Sequence, residues 1–136
     1  MKLEYLDDIT DNGKYPYADP TKLIRLYDFD QNEAACLKRL IESKLLSDRV
    51  EVDISNEDFV ETQNCTLKFQ LASEDYGIDL PSDNRSFVCK LRMETYQTMT
   101  AIISGFTAPN DGNGYNWLYD PKADKIDLLF SPGGTW

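Results

Sequence analysis

The chain has 136 residues, 41% of them apolar and 12% aromatic, which suits one domain spanning 1–136 with a core of its own and leaves too little for two. It carries 14 basic and 24 acidic residues, a net charge of −10, so its surface repels phosphate backbones and anionic lipid heads and attracts basic partners. Histidine is absent, which removes the commonest general base, the Ser-His and Cys-His nucleophile pairs and the usual zinc ligand.

Cys36, Cys65 and Cys89 are odd in number, widely spaced and never in a C-x-x-C pair. That is the pattern of reduced thiols in a cytosol rather than of a disulfide framework or a metal site. No stretch approaches the roughly 20 apolar residues needed to cross a bilayer. The opening MKLEYLDDITD is acidic where a secretion signal has a basic start and an apolar run. The expectation is a soluble cytoplasmic protein that uses no cofactor or metal and binds neither membrane nor nucleic acid directly.

In chain order, residues 1–20 are rich in Asp, Asn, Gly, Pro and Tyr and read as an irregular strap. KLIRLYDF (22–29) has apolar groups on both sides, as a strand inside a sheet does. Asp30 followed by Glu33 predicts a capping box, and helical periodicity runs to Leu46. Ala34, Leu37, Ile41 and Leu45 form its buried stripe, widened by Leu40, with Cys36 on the flank as a structural thiol.

Three runs of period two follow: 49–54 with Val50, Val52 and Ile54, 65–72 with Cys65, Leu67, Phe69 and Leu71, and 86–93 with Phe87, Cys89, Leu91 and Met93. They predict antiparallel strands with one dry face, and a wet face on which Glu51 and Asp53 meet Lys68, Lys90 and Arg92. From Thr95 the period lengthens, Tyr96, Met99, Ile103 and Phe106 marking a second helix. Strands at 115–119 and 125–130 close the chain around a turn in DPKAD (120–124), and Trp136 in the SPGGTW tail is expected to cover the edge of the core. The predicted order is β-α-β-β-β-α-β-β, an α+β domain with two helices on one face of a mostly antiparallel sheet, its first two strands parallel across the helical crossover.

Candidate sites are few. NDGNGYNWLYD (110–120) fails as a calcium loop: Asp111 and Asn113 fit positions 1 and 3, but Tyr115 stands at position 5, Asn116 replaces the required Gly and no Glu closes it. DFDQNE (28–33) fails similarly, with Glu33 in place of the Gly. Tyr115, Trp117 and Tyr119 alternate on one strand face; such a row usually covers a core, and when exposed it can stack on a sugar, with Asp111 and Asn113 as hydrogen-bonding neighbours. Asp28 and Asp30 flank Phe29 where a carboxylate pair would sit, but Asp30 is already used as a cap.

Acidic loops remain. Residues 48–61 hold six acids against Arg49 alone, including Glu57, Asp58 and Glu61. The loop 73–84, read as a hairpin connection, holds Glu74, Asp75, Asp79 and Asp83 around Tyr76 with no basic residue. Carboxylates steer a basic surface and an aromatic anchors it. The sequence therefore points to a non-catalytic acidic interaction protein that masks a basic protein partner, such as an immunity protein neutralising a toxin, through Glu57, Asp58 and Glu61 or through Glu74, Asp75, Tyr76 and Asp79. The alternative is a small-ligand or carbohydrate-binding domain using the Tyr115/Trp117/Tyr119 strand. The two acidic loops leave opposite ends of the 65–72 strand and are not expected to form one patch.

Overall fold

The structure, a computed structural model, describes residues 1–136 apart from Asp11, Asp19, Thr21, Asn110, Asp111, Gly112, Lys122, Ala123 and Asp124. Its first element corrects the reading of 1–20 as a strap throughout. In KLEYL, Leu3 and Tyr5 alternate with Lys2, Glu4 and Leu6, and this makes strand β1, Lys2–Leu6, with Leu3 and Tyr5 buried. Five residues are too few to stand out beside the Asp-, Asn-, Gly- and Pro-rich run that follows. That run does turn irregularly, Tyr15 N–H donating to the Thr10 carbonyl and Ala18 N–H to Tyr15.

Strand β2, Leu23–Tyr27, lies inside a sheet as its two apolar sides require, with Leu23, Ile24 and Leu26 all buried. It stops at Asp28, whose backbone is left-handed (φ 50°). The capping box is present: Asp30 Oδ1 accepts the Glu33 N–H at 2.8 Å, and Glu33 Oε2 accepts the Asp30 N–H at 3.0 Å. Helix α1, Gln31–Leu40, runs on into a wider π-helical segment, Ile41–Ser47, and the stripe Ala34, Leu37, Ile41 and Leu45 is wholly buried.

The remaining elements are β3 (Val52–Asp53), β4 (Glu61–Thr62), β5 (Thr66–Leu71), β6 (Gly77–Ile78), β7 (Ser86–Leu91), helix α2 (Met93–Ser104), β8 (Asn116–Tyr119) and β9 (Asp127–Ser131). They build two sheets, ordered β4-β1-β2-β9-β8 and β3-β5-β7-β6. The α+β class with two helices holds, but a single mostly antiparallel sheet does not. Pairs β1/β2, β8/β9, β3/β5 and β6/β7 are antiparallel, while β1/β4, β2/β9 and β5/β7 are parallel.

Three corrections follow from this pairing. First, the strands on either side of α1 are not parallel neighbours; β2 and β3 belong to different sheets, and β2 finds its parallel partner in β9, far along the chain. Second, β5 and β7 run parallel, Leu67 opposite Phe87 and Phe69 opposite Cys89, because residues 72–85 return the chain to the starting end of β5. That loop is no hairpin: it carries β6, which pairs antiparallel on the far side of β7. Third, the 49–54 strand shrinks to Val52–Asp53, since the helical segment persists to Ser47, Arg49 is left-handed (φ 55°) and Val50 is 53% exposed.

Short elements account for the rest of the difference in order. Strands β4 and β6 have two residues each, too few for a period to register, and α2 starts at Met93, which alternation assigned to the preceding strand. The turn expected at 120–124 falls partly on Lys122, Ala123 and Asp124, outside the described residues. The expected charge pairing on the wet face is present where Lys68 Nζ meets Glu51 Oε1 at 3.5 Å and where Asp53 stands opposite Lys68.

One contiguous core joins both sheets and both helices. Phe29 stacks on Phe130 at 4.0 Å, and Phe106 of the α2 C-terminal turn meets Phe130 edge-on at 5.1 Å. The Tyr96 hydroxyl of α2 reaches the Cys89 carbonyl of β7 at 2.7 Å and the Gln70 carbonyl of β5 at 3.0 Å, which ties the helix to the parallel pair. The sheets themselves are linked where the Ile126 N–H donates to the Ile78 carbonyl at 3.0 Å.

Candidate functional site

The 57–61 stretch is held from both ends. Asp53 accepts the Ser55 N–H at 3.0 Å to start the 3₁₀ turn Ile54–Asn56, and the Glu57 N–H closes it on the Ile54 carbonyl at 3.2 Å. The Val60 N–H then donates to the Glu57 carbonyl at 3.0 Å, and the Glu61 N–H donates to the Met1 carbonyl at 2.9 Å, where β4 joins β1. Buried Val60 anchors this loop, so Asp58 at its tip projects into solvent.

Beside it lies an open cleft of about 220 Å³ lined by Met1, Lys2, Asp28, Glu33, Asp58, Phe59, Val60 and Glu61. Lys2 Nζ sits 2.9 Å from Asp28 Oδ2, and the Met1 ammonium sits 2.6 Å from Glu33 Oε1. The hydrogen bond and charge of Asp28 hold Lys2 above the ordinary lysine range, and Lys2 holds Asp28 below the ordinary carboxylate range. Glu61 accepts from the Gln63 amide at 2.9 Å. Among the described residues, Glu57 and Asp58 have no side-chain hydrogen bond or ion pair.

The 73–84 loop is differently placed. Two of its carboxylates find cations elsewhere in the chain: Asp75 Oδ2 lies 3.4 Å from Arg92 Nη2, and Asp79 pairs with Lys125. Asp75 also accepts the Arg92 N–H at 2.8 Å and the Thr95 hydroxyl at 2.7 Å, while Glu74 is exposed. Tyr76 is 50% exposed, its hydroxyl 3.3 Å from Ser73 Oγ. The structure does not bring the two acidic groups together. Glu61 pairs with β1 at one edge of the five-stranded sheet; Asp79 reaches Lys125 ahead of β9, and Gly77 lies against Tyr119 of β8 at the other edge.

The aromatic strand is also rearranged. Trp117 stands opposite Leu129, but Tyr119 stands opposite Leu128, because a bulge inserts Leu118 between them. Leu128 and Leu129 point to opposite faces of β9, so Tyr119 leaves the face that Trp117 occupies. It packs on the core, where a Cβ at Gly77 would fall 2.6 Å from its hydroxyl. The expectation of three aromatics sharing one face is therefore corrected.

Trp136 takes the vacated place, its ring 6.3 Å from Trp117 at 63°, while Tyr115 meets Trp117 at 6.3 Å and 77°. Tyr115 is 48% and Trp136 43% exposed, so Trp136 covers Trp117 rather than the core edge expected of it. Alternation could not have signalled this partner, which lies 19 positions along the chain from Trp117. Asn113 is exposed, and Asp111 lies outside the described residues.

Cys65 and Cys89 are buried, and burial pushes both thiols up to about 12; Cys36 is only half-buried, short of the structural burial expected of it. Among the described residues, no helix is long and apolar enough to cross a membrane, and no group of three His, Cys, Asp or Glu is placed to hold a metal ion. No protein-family model matches the chain, and neither does any curated protein or solved structure.

Proposed function

We propose that the protein is a non-catalytic acidic interaction protein that binds and masks a basic protein partner, as an immunity protein neutralising a toxin does. The observation that carries this reading is the anchored 57–61 loop: among the described residues Glu57 and Asp58 have no cation partner, and Asp58 and Glu61 line a cleft whose other carboxylates, Asp28 and Glu33, are paired with Lys2 and the Met1 ammonium. Asp75 and Asp79 are already paired within the chain, which among the described residues leaves Glu74 alone of the proposed carboxylates in the 73–84 loop without a cation, so support shifts from that loop to this one. Flat-ligand binding on the 115–119 strand is the alternative reading, and the tilt between its rings gives it no common stacking plane.

The test is kinetic. For the basic partner recovered from the native host, association should slow steeply with added salt while dissociation changes less, and E57K/D58K/E61K should lower the association rate with the fold intact. Recovery of no basic protein, together with a rise in melting temperature on adding a glycan or metabolite, would transfer the function to the 115–119 strand.

A further inference from the structure

We propose that Tyr115, Trp117 and Trp136 form the anchoring half of this interface and take arginine side chains of the basic partner, with Glu57, Asp58 and Glu61 as the steering half. The inference rests on the reading of the protein as a binder of a basic protein, and it adds which residues hold the complex together. Residues in register across a sheet turn their side chains to the same face. Glu61 pairs with Lys2, Lys2 with Tyr27, Arg25 with Leu129, and Leu129 with Trp117. Tyr27 and Arg25 are two apart on β2, so Glu61 and Trp117 stand on one face of one sheet, at its two edges. Five strands at about 4.8 Å spacing separate them by roughly 19 Å, inside the roughly 30 Å width of a standard interface.

That face turns away from the core cluster, to which Leu3, Ile24, Leu26, Leu128 and Phe130 contribute from the other side. The C-terminal tail is pinned across it: Arg25 Nη1 donates to the Gly134 carbonyl and Ser131 Oγ to the Thr135 carbonyl, each at 2.7 Å. This fixes Trp136 beside Trp117 before any partner arrives, so little rotamer entropy is left to lose on binding. The mutual tilt of 77° and 63° offers separate ring faces instead of one plane, which suits guanidinium groups better than a sugar. An arginine already lies over a ring on this face, Arg25 at 4.2 Å from the Tyr27 centroid. The net charge of −10 and the acidic opposite edge are complementary to an arginine-rich surface.

Trp117 and Trp136 are the chain's two tryptophans, so intrinsic emission reads this cluster alone. Hexa-arginine, hexa-lysine and a neutral hexasaccharide are titrated by fluorescence and calorimetry against the native protein, Trp136→Ala, Tyr115→Ala and E57K/D58K/E61K. Hexa-arginine should shift the emission and bind more tightly than hexa-lysine, and each aromatic truncation should weaken it roughly three- to tenfold. Because Tyr115 is exposed, Tyr115→Ala keeps the test valid if Trp136→Ala disturbs the tail.

Binding of hexa-arginine that the charge reversal weakens, with emission unmoved and both aromatic variants unchanged, overturns the aromatic anchor and leaves the acidic reading standing. No binding of either peptide overturns both. An emission shift with the hexasaccharide instead, or a concentration-dependent dimer in sedimentation that Tyr115→Ala dissolves, assigns the face to another occupant.

Discussion

Asp75 caps helix α2 from the preceding loop: its Oδ1 accepts the N–H of Arg92, the N-cap residue just before Met93, whose own side chain makes no cap. The Thr95 hydroxyl donates to the same carboxylate. An acid that sequence assigns to partner recognition is thus occupied in holding a helix end. Asp75→Ala should cost about 1–2 kcal/mol, in the range of lost helix caps, seen as a lower urea midpoint with unchanged slope. Partner affinity should be the same as that of the native protein; a tenfold loss at constant fold would return Asp75 to the binding surface.

A related carboxylate sets a pH window. The Ser86 hydroxyl, with the N–H groups of Ser86 and Arg85, holds Asp83 down to about 2. For Asp75, burial pushes the carboxyl up, but the bonds from Arg92 and Thr95 outweigh it and leave it below the ordinary range. Both folded values lie under the unfolded value of about 4, so both contributions are present above that pH and are lost as pH falls through the folded values. Urea midpoints measured from pH 5 downward should drop most steeply between about pH 4 and pH 2, and Asp83→Asn should flatten that drop. An unchanged profile in the variant would show that the turn does not need the charge.

Legibility followed from how far each signal reaches along the chain. The Asp30–Glu33 box, the Ala34/Leu37/Ile41/Leu45 stripe and the alternation in 65–72 and 86–93 are local patterns, and each appears in the structure almost where the periods place it. Pairing partners are set by contacts distant in sequence, such as β2 with β9, and alternation is the same for a parallel as for an antiparallel neighbour. The candidate site divides the same way. Acidic density at 48–61 is visible in composition, but the pairing of Asp79 with Lys125 and the meeting of Trp117 with Trp136 depend on the folded chain. A single-residue bulge at Leu118 was enough to separate Tyr119 from Trp117, because a slip of one position reverses a strand's faces.

Gly77 is a position where only glycine suits the backbone. Its φ of +79° strains any residue with a Cβ, and a Cβ there would also press on the Tyr119 hydroxyl at 2.6 Å. Gly77→Ala should therefore destabilise by about 1–3 kcal/mol, and Tyr119→Phe in the same chain should restore part of the loss by removing the clashing oxygen. A double-mutant cycle by denaturant titration measures the split. Full additivity of the two changes would mean that backbone strain, not the ring, sets the cost.

The thiols should separate into two classes. Burial pushes Cys65 and Cys89 up to about 12, so at about pH 8 neither has an appreciable thiolate fraction or a route for reagent. Cys36, on the flank of α1 and only half-buried, is open to reagent. Titration of the native protein with a thiol reagent should therefore give one reactive thiol, with the other two appearing only when denaturant is added, at a rate that follows unfolding. Cys36→Ser should abolish the early phase and leave the late one. Two thiols reacting early would show that β5 or β7 opens locally, and the parallel pair tied to α2 by Tyr96 would then be less secure than its buried hydrogen bonds imply.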